Sequence, residues 1–330
     1  MRYSYIRLSL VILLCWHFTI CSAQSISIDS IITTSSLKEL VQTLAADSFQ
    51  GRLTGTKEEA KAALLISELL KKAGALPVAG NDGYIMPFST PENITAFNVV
   101  AALPGRSKAQ EIIIFSAHYD HIGTKNRTTQ YTPPENGRPE KGDVIYNGAN
   151  DNASGISGLI HLARYFAQHA HNERTLLFIA FSGEEEGLLG SKKLAQAFDP
   201  KAVTAMINMD MIGRPIATNK KYPYITGEQA SNLQTLFNDK LYKLAPQYGE
   251  NYFRGDRFIA ESLYSRSDNY PFAQRGIVAH TIITSSPKDQ YYHSLNDEWE
   301  RLDYPFMAEV VKAIALASSG LVEGTDTPGK

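Results

Sequence analysis

The sequence predicts an α/β fold in which a largely parallel β-sheet lies between layers of helix. Three observations carry that prediction. Short runs, mostly four to eight residues long, are apolar on both faces; helical or polar segments separate them; and residues able to bind metal stand at their carboxyl ends. The 330 residues, 43% of them hydrophobic, suffice for one large α/β domain or two small ones, and no linker forces a split.

The chain opens with "MRYSYIRLSLVILLCWHFTICSAQ", in which Arg2 and Arg7 precede an apolar run and Cys21-Ser22-Ala23 places small residues where signal peptidase requires them. Residues 1–23 are expected to be a signal peptide, leaving residues 24–330 exported, periplasmic or extracellular. The run is too short to span a bilayer with hydrophilic flanks, so no membrane insertion of the mature chain is expected. Cys15 and Cys21 are the only cysteines. Without them there are no disulfides, and any metal must bind through His, Asp and Glu. The remaining 30 basic and 34 acidic side chains give no electrostatic reason for nucleic acid or an anionic membrane as partner.

Residues 24–80 read as an N-terminal helical part. In "KEEAKAALLISELLKKAGALP", Ala60, Leu64, Ile66, Leu69 and Leu70 recur at near-helical spacing, and Lys71, Lys72, Gly74 and Pro77 mark the end. "FNVVAALPG" and "EIIIFSAHYDH" then read as strands, residues 124–141 as a polar surface loop, and "SGISGLIHLARYFAQHA" from Ser154 as a helix. "TLLFIAFS", "AVTAMINMDMIG" and "GIVAHTIIT" are further buried strands.

The candidate chemistry sits where these strands end. His118 and Asp120 follow the second strand, two residues apart, so that the carboxylate can fix the imidazole tautomer that ligates. Alone, the pair fits a backbone-satisfied histidine as well. Asp151 lies in a Gly- and Asn-rich turn before a helix, where capping is the alternative role. Glu184, Glu185 and Glu186 follow "TLLFIAFS". A charge run often complements the next helix, but at this edge carboxylates face a cleft, and on a sharp bend one can ligate while its neighbour serves as general base. Asp210 ends an apolar run where an unpaired carboxylate is costly, and His293 follows the last strand beside Tyr292. His121 reads as exposed, His161, His169 and His171 as solvated, and His280 as core. His118, Asp151, Glu185, Asp210 and His293, with Glu184 in reserve, exceed what one four-coordinate zinc takes. They fit two zincs about 3.5–4 Å apart sharing a carboxylate.

In order from His118 to Asp297, "SAHYDH", "GANDNASG", "FSGEEEGLLGS", "INMDMIG", "SRSDNYPF" and "YYHSLND" are similar to the motifs of the di-zinc aminopeptidases of metallopeptidase family 28 (clan MH). The upstream "DSFQGRLTGT" resembles secreted bacterial members. The resemblance implies a single domain with a mixed, mostly parallel sheet sandwiched between helices. It assigns His118, Asp151 and Asp210 to one zinc and Asp151, Glu185 and His293 to the other, with Asp120 behind His118. Glu184 becomes the general base, Glu186 a bystander, and Tyr292 a stabiliser of the tetrahedral intermediate. Arg266 and Asp268 match positions near substrate, while Asn269 replaces a His of some relatives. The short stretch between Asp210 and His293 leaves no room for the dimerisation domain of related exopeptidases, so a monomer acting on peptides with free N-termini is expected.

Two alternatives belong to other classes. A glutaminyl-cyclase-like acyltransferase shares the fold but keeps one zinc on Asp, Glu and His, and retention of His118 favours two. A non-catalytic binding domain on this scaffold would have lost ligands, and none is missing here.

Overall fold

A computed structural model describes residues 27–128, 142–169 and 171–330. The expected signal peptide lies outside the described residues, as does the expected surface loop beyond residue 128.

The described strands are β1 (Leu76–Pro77), β2 (Ile85–Ser89), β3 (Thr95–Leu103), β4 (Lys108–His118), β5 (Gly123–Thr124), β6 (Arg127–Thr128), β7 (Arg174–Phe181), β8 (Val203–Met209), β9 (Tyr224–Ile225), β10 (Arg254–Gly255) and β11 (Ala279–Ile283). β5 and β6 form a separate two-stranded sheet that uses the start of the expected loop, and Thr124 of β5 also bridges Ile145. The rest form one sheet in the order β1-β3-β7-β4-β8-β11-β9-β10, with β2 beside β3. β7, β4, β8 and β11 run parallel, and the flanking pairs β3–β7 and β11–β9 are antiparallel. The chain leaves β4 toward β7 on one side and returns to β8 on the other. That reversal opens a crevice at the carboxyl end of β4.

The central strands are apolar on both faces because both are covered. In β4, Ile113, Phe115 and Ala117 enter one core and Ile114 the other; in β7, Leu176, Phe178 and Ala180 alternate with Leu177, Ile179 and Phe181. The larger core is closed by α2 (Thr34–Leu44), α3 (Lys57–Lys72), α4 (Gly155–His169), α6 (Leu233–Leu244) and α8 (Tyr304–Ala317). The smaller is closed by α5 (Leu189–Ala195) and α7 (Asn269–Ala273). Short helices α1 (Ile28–Ile31) and α9 (Ser319–Val322) flank the larger group. Residues 304–322 are long and apolar enough to cross a bilayer, yet Met307, Val310, Val311 and Ile314 are wholly buried in the core.

Helix ends follow capping chemistry. Thr33 and Ser36 make a reciprocal box at α2, and the Thr56 hydroxyl accepts from Glu59 N at 3.1 Å to start α3. The buried stripe of α3 is Glu59, Ala62, Ala63, Ile66, Ser67 and Leu70. Leu64, expected in the core, is 59% exposed. Glu59 explains the rotation: it accepts from the Tyr119 hydroxyl at 2.5 Å and from Phe97 N at 3.2 Å, which draws its side of the helix inward.

Candidate metal centre

The motif residues converge at the crevice. His118 is the last residue of β4, Glu184 and Glu185 follow β7, and Asp210 follows β8. Asp151 lies in the kinked turn Ala149–Ser154 that feeds α4, and His293 lies in the loop after β11. Asp151 divides its oxygens between two groups. Its Oδ1 is 3.3 Å from His118 Nε2, which is 3.4 Å from Asp210 Oδ1. Its Oδ2 is 3.2 Å from His293 Nε2, which is 2.9 Å from Glu185 Oε2.

These donors fit a metal. His118 Nδ1 lies 3.2 Å from the Asp120 carbonyl and Nε2 points between two carboxylates, buried and without a hydrogen bond of acceptable geometry. Two atoms on one tetrahedral zinc with bonds of about 2.0–2.1 Å stand about 3.3 Å apart, close to the spacings around His118. Nitrogen and oxygen donors with no thiolate suit zinc. Donor atoms of His118, Glu184 and Asp210 fall within 4.8 Å of one another, as do those of His121, Asp151, Glu185 and His293.

Asp120 stands behind His118 as expected, its carbonyl 3.2 Å and its carboxylate 3.8 Å from His118 Nδ1. That carboxylate also accepts from Glu184 N at 3.2 Å, Glu185 N at 3.3 Å and the Thr54 hydroxyl at 3.1 Å. It therefore shapes the bend that carries the glutamates, because a carboxylate with four lone-pair sites satisfies several backbone donors at once. Asp297 does the same for the Asp151 turn, accepting from Asn150 N at 3.1 Å and Asp151 N at 3.0 Å. Arg214 holds Asp297 at 2.6 Å and Asp289 at 2.7 Å, tying the Asp210, Asp151 and His293 loops together. His293 and Met211 carry positive φ, 50° and 58°, a left-handed conformation that side chains adopt at a cost and that collects at functional sites.

Burial and charge set the ionisation. Burial alone would raise the Asp151 carboxyl, but the close imidazoles of His118 and His293 hold it well below the usual range. Glu185 likewise resists burial and is lowered to about 2, chiefly by the charge of His293. Burial would lower His293, yet Glu185 and Asp151 raise it to about 11. Glu184 is pushed well up, by burial first and then by Glu185 and Asp210 against the opposing charge of His118.

A cleft of ≈ 590 Å³ opens over these residues, its lining including the apolar Met211, Leu263, Ile283 and Pro287 as well as Tyr224, Arg266 and Tyr292. The Tyr292 hydroxyl is 3.4 Å from the Arg266 guanidinium. Asp268, expected near substrate, is fully buried and does not line the cleft. Burial raises its carboxyl to about 7, against the opposing charge of His118. Asn269 faces inward, donating to the Tyr264 carbonyl and accepting from the Thr281 hydroxyl. Glu186 is half-buried and lines no part of the cleft.

Four residues escaped the sequence reading. His121, expected exposed, is buried with Nδ1 2.8 Å from Glu185 Oε1. His161, expected solvated, is buried between Ser157 O at 2.7 Å and Ser36 Oγ at 2.8 Å. Their helical or loop setting gave no sign of a partner distant in sequence. His280 is core as expected, His169 half-buried and His171 exposed. Arg52, in the upstream "DSFQGRLTGT", is buried and donates to the carbonyls of Tyr119, Leu44, Asn147 and Gly148 at 2.6–2.9 Å. Asp297 was visible only as the end of a motif.

Among curated proteins, a probable zinc metalloprotease of Pyrenophora teres f. teres is 38% identical over 125 residues, 37% of this chain and 23% of that protein. The chain thus spans about a quarter of the length of the first relatives it matches. A probable leucine aminopeptidase of Trichophyton verrucosum is 27% identical over 302 residues, 88% of this chain and 74% of its own. Among solved structures, an aminopeptidase from Aneurinibacillus sp. strain AM-1 superposes with a TM-score of 0.64 at 17% identity, covering 92% of this chain and 97% of that one. A Porphyromonas gingivalis glutaminyl cyclase gives 0.67 at 20%, covering 88% and 99%. At these identities the structures share the fold, a mostly parallel sheet between helices. The model of peptidase family M28 matches residues 98–318, the stretch that holds every donor from His118 to His293, and the chain belongs to that family.

Proposed function

We propose that the chain is an exported zinc aminopeptidase that hydrolyses the first peptide bond of substrates with a free N-terminus, as a monomer carrying two zinc ions. The observation that carries the reading is the division of the Asp151 carboxylate, Oδ1 toward His118 and Oδ2 toward His293, each group completed by one further carboxylate. His118, Asp151 and Asp210 would hold one zinc, and Asp151, Glu185 and His293 the other. Bound there, zinc polarises a carbonyl and makes water acidic enough to attack at neutral pH.

The chain's own residues do the rest. Glu184, which lines the cleft, takes the proton of the attacking water and passes it to the leaving amine. The Tyr292 hydroxyl donates to the oxygen that becomes negative, with the Arg266 guanidinium beside it. The acidic donors hold the α-amine, and the apolar lining residues Met211, Leu263, Ile283 and Pro287 receive the first side chain. The aminopeptidase names among relatives and structural neighbours support this reading. Export rests on the composition of residues 1–23 alone.

Glu184→Gln should retain zinc and lose turnover of aminoacyl anilides by about 10²–10⁴-fold. Near-normal turnover in that variant would sink the assignment. The glutaminyl cyclase neighbour supplies the competing reading. Metal analysis near one zinc per chain, with cyclisation of N-terminal Gln peptides and no cleavage of free-amine peptides, would favour it.

A further inference from the structure

We propose that His121 is a positioning residue for the metal centre: its Nδ1–H holds one oxygen of Glu185 so that only the other is presented to metal. The proposal deepens the reading above, and rests on it for the assignment of Glu185 as a ligand.

The two imidazoles at Glu185 divide its oxygens. His293 Nε2 lies 2.9 Å from Oε2 and 3.2 Å from Asp151 Oδ2, so it faces the pair of oxygens that would share a metal. His121 Nδ1 lies 2.8 Å from Oε1 and is 3.9 Å from Asp151 Oδ2, outside that pair. An ionised carboxylate only accepts, so the proton of this contact sits on Nδ1. Nε2 is buried with no partner among the described residues, which leaves the ring anchored through Nδ1 alone.

The ring has little freedom to swing away. It is wholly buried, meets His293 edge-on at 5.6 Å between centroids, and packs under Gly148. Gly148 has φ of 58°, and a Cβ there would stand 2.5 Å from His121 Cδ2. On the other side the His121 amide donates to the Arg52 carbonyl at 3.3 Å. A ligating carboxylate free to rotate binds less well and switches between one and two oxygens, and hydrogen-bonding partners behind ligands typically matter 10–100-fold in affinity.

The test is zinc affinity, measured by competition with a chromophoric chelator on the full chain, with kinetics kept separate. His121→Ala should weaken one zinc about 10–100-fold. His121→Asn, whose amide nitrogen sits near the position of Nδ1, should recover most of that loss. Wild-type affinity in the alanine variant overturns the proposal. So does equal loss in both variants accompanied by a fall in the melting temperature of the metal-free protein, which would make His121 a packing residue. Because the readout is binding, a wild type that bound zinc but cleaved no peptide would refute the proposed reaction and leave this result standing.

Discussion

Tyr292 shows how one side chain combines several constraints. Its ring stacks on His293 at 3.9 Å between centroids, its hydroxyl reaches Arg266, and burial raises the phenol well above its usual value, so it stays a donor. Tyr292→Phe keeps the stack and removes only the donor. On the proposed mechanism kcat should fall about 10²-fold or more with KM little changed, and steady-state kinetics on an aminoacyl anilide would reveal it. A change confined to KM would place the hydroxyl in ground-state binding instead. At this scale the sequence was legible where chemistry and strand position coincide. His118, Asp151, Glu185 and Asp210 stand at or near a strand end or helix start, His293 lies further along the loop after β11, and the structure brings all five together. His121 and Arg52 were not legible, because their partners are backbone carbonyls and a carboxylate far away in sequence, which no spacing rule encodes.

At the scale of elements, α2 and α4 are pinned together by a buried histidine. His161 Nδ1 engages the Ser157 carbonyl one turn back, and Nε2 meets Ser36 at the start of α2. Burial lowers His161 to about 4, so it is neutral in the folded protein at pH 7. Between about pH 6.5 and 4 the unfolded chain takes up a proton that the folded chain refuses, so stability is in place above pH 6.5 and lost as pH falls. The loss from this group is on the order of 3 kcal/mol. Chemical denaturation across that range should show a shallower acid decline for His161→Gln than for the wild type; parallel curves would contradict the assignment. Long elements were legible from pattern alone: β3, β4, β7, β8 and β11 match apolar runs, and α3 and α4 match periodic ones. The two-residue strands β9 and β10 were not, since so short a strand is defined by its neighbours rather than its own residues. Leu64 was misplaced because one buried carboxylate, Glu59, turned the helix.

For the whole molecule, the metal centre concentrates negative charge in a place the fold must enclose. Asp120, Asp151 and Asp268 are buried, and Asp210, Glu184 and Glu185 nearly so. Burial raises Asp120 to about 7, against the opposing charge of His118, and Arg52 nearby is lowered to about 10 by the same burial. Cations bound there relieve that repulsion in the folded state only. At zinc a hundredfold above its dissociation constant the stabilisation is about 2.7 kcal/mol, and about 2–4 °C per kcal/mol is typical of a domain this large. Stripping the metal with a chelator should therefore lower the melting temperature by roughly 5–10 °C, and calorimetry with and without zinc restored would measure it. No shift would mean that the folded chain has no special hold on the ion.

The Arg214–Asp297 clamp also bears on time. It joins loops that follow β8, precede α4 and follow β11, linking residues as many as 147 apart in sequence, so it closes only after those elements have come together. Contacts so distant form late, because closing long loops must precede any gain from them. During synthesis a chain exposing its first motif histidine still lacks the arginine, the aspartate and the last imidazole. The full donor set is thus complete only when the last imidazole has been made, and on the proposed function full metal loading is expected at the end of folding rather than at its beginning.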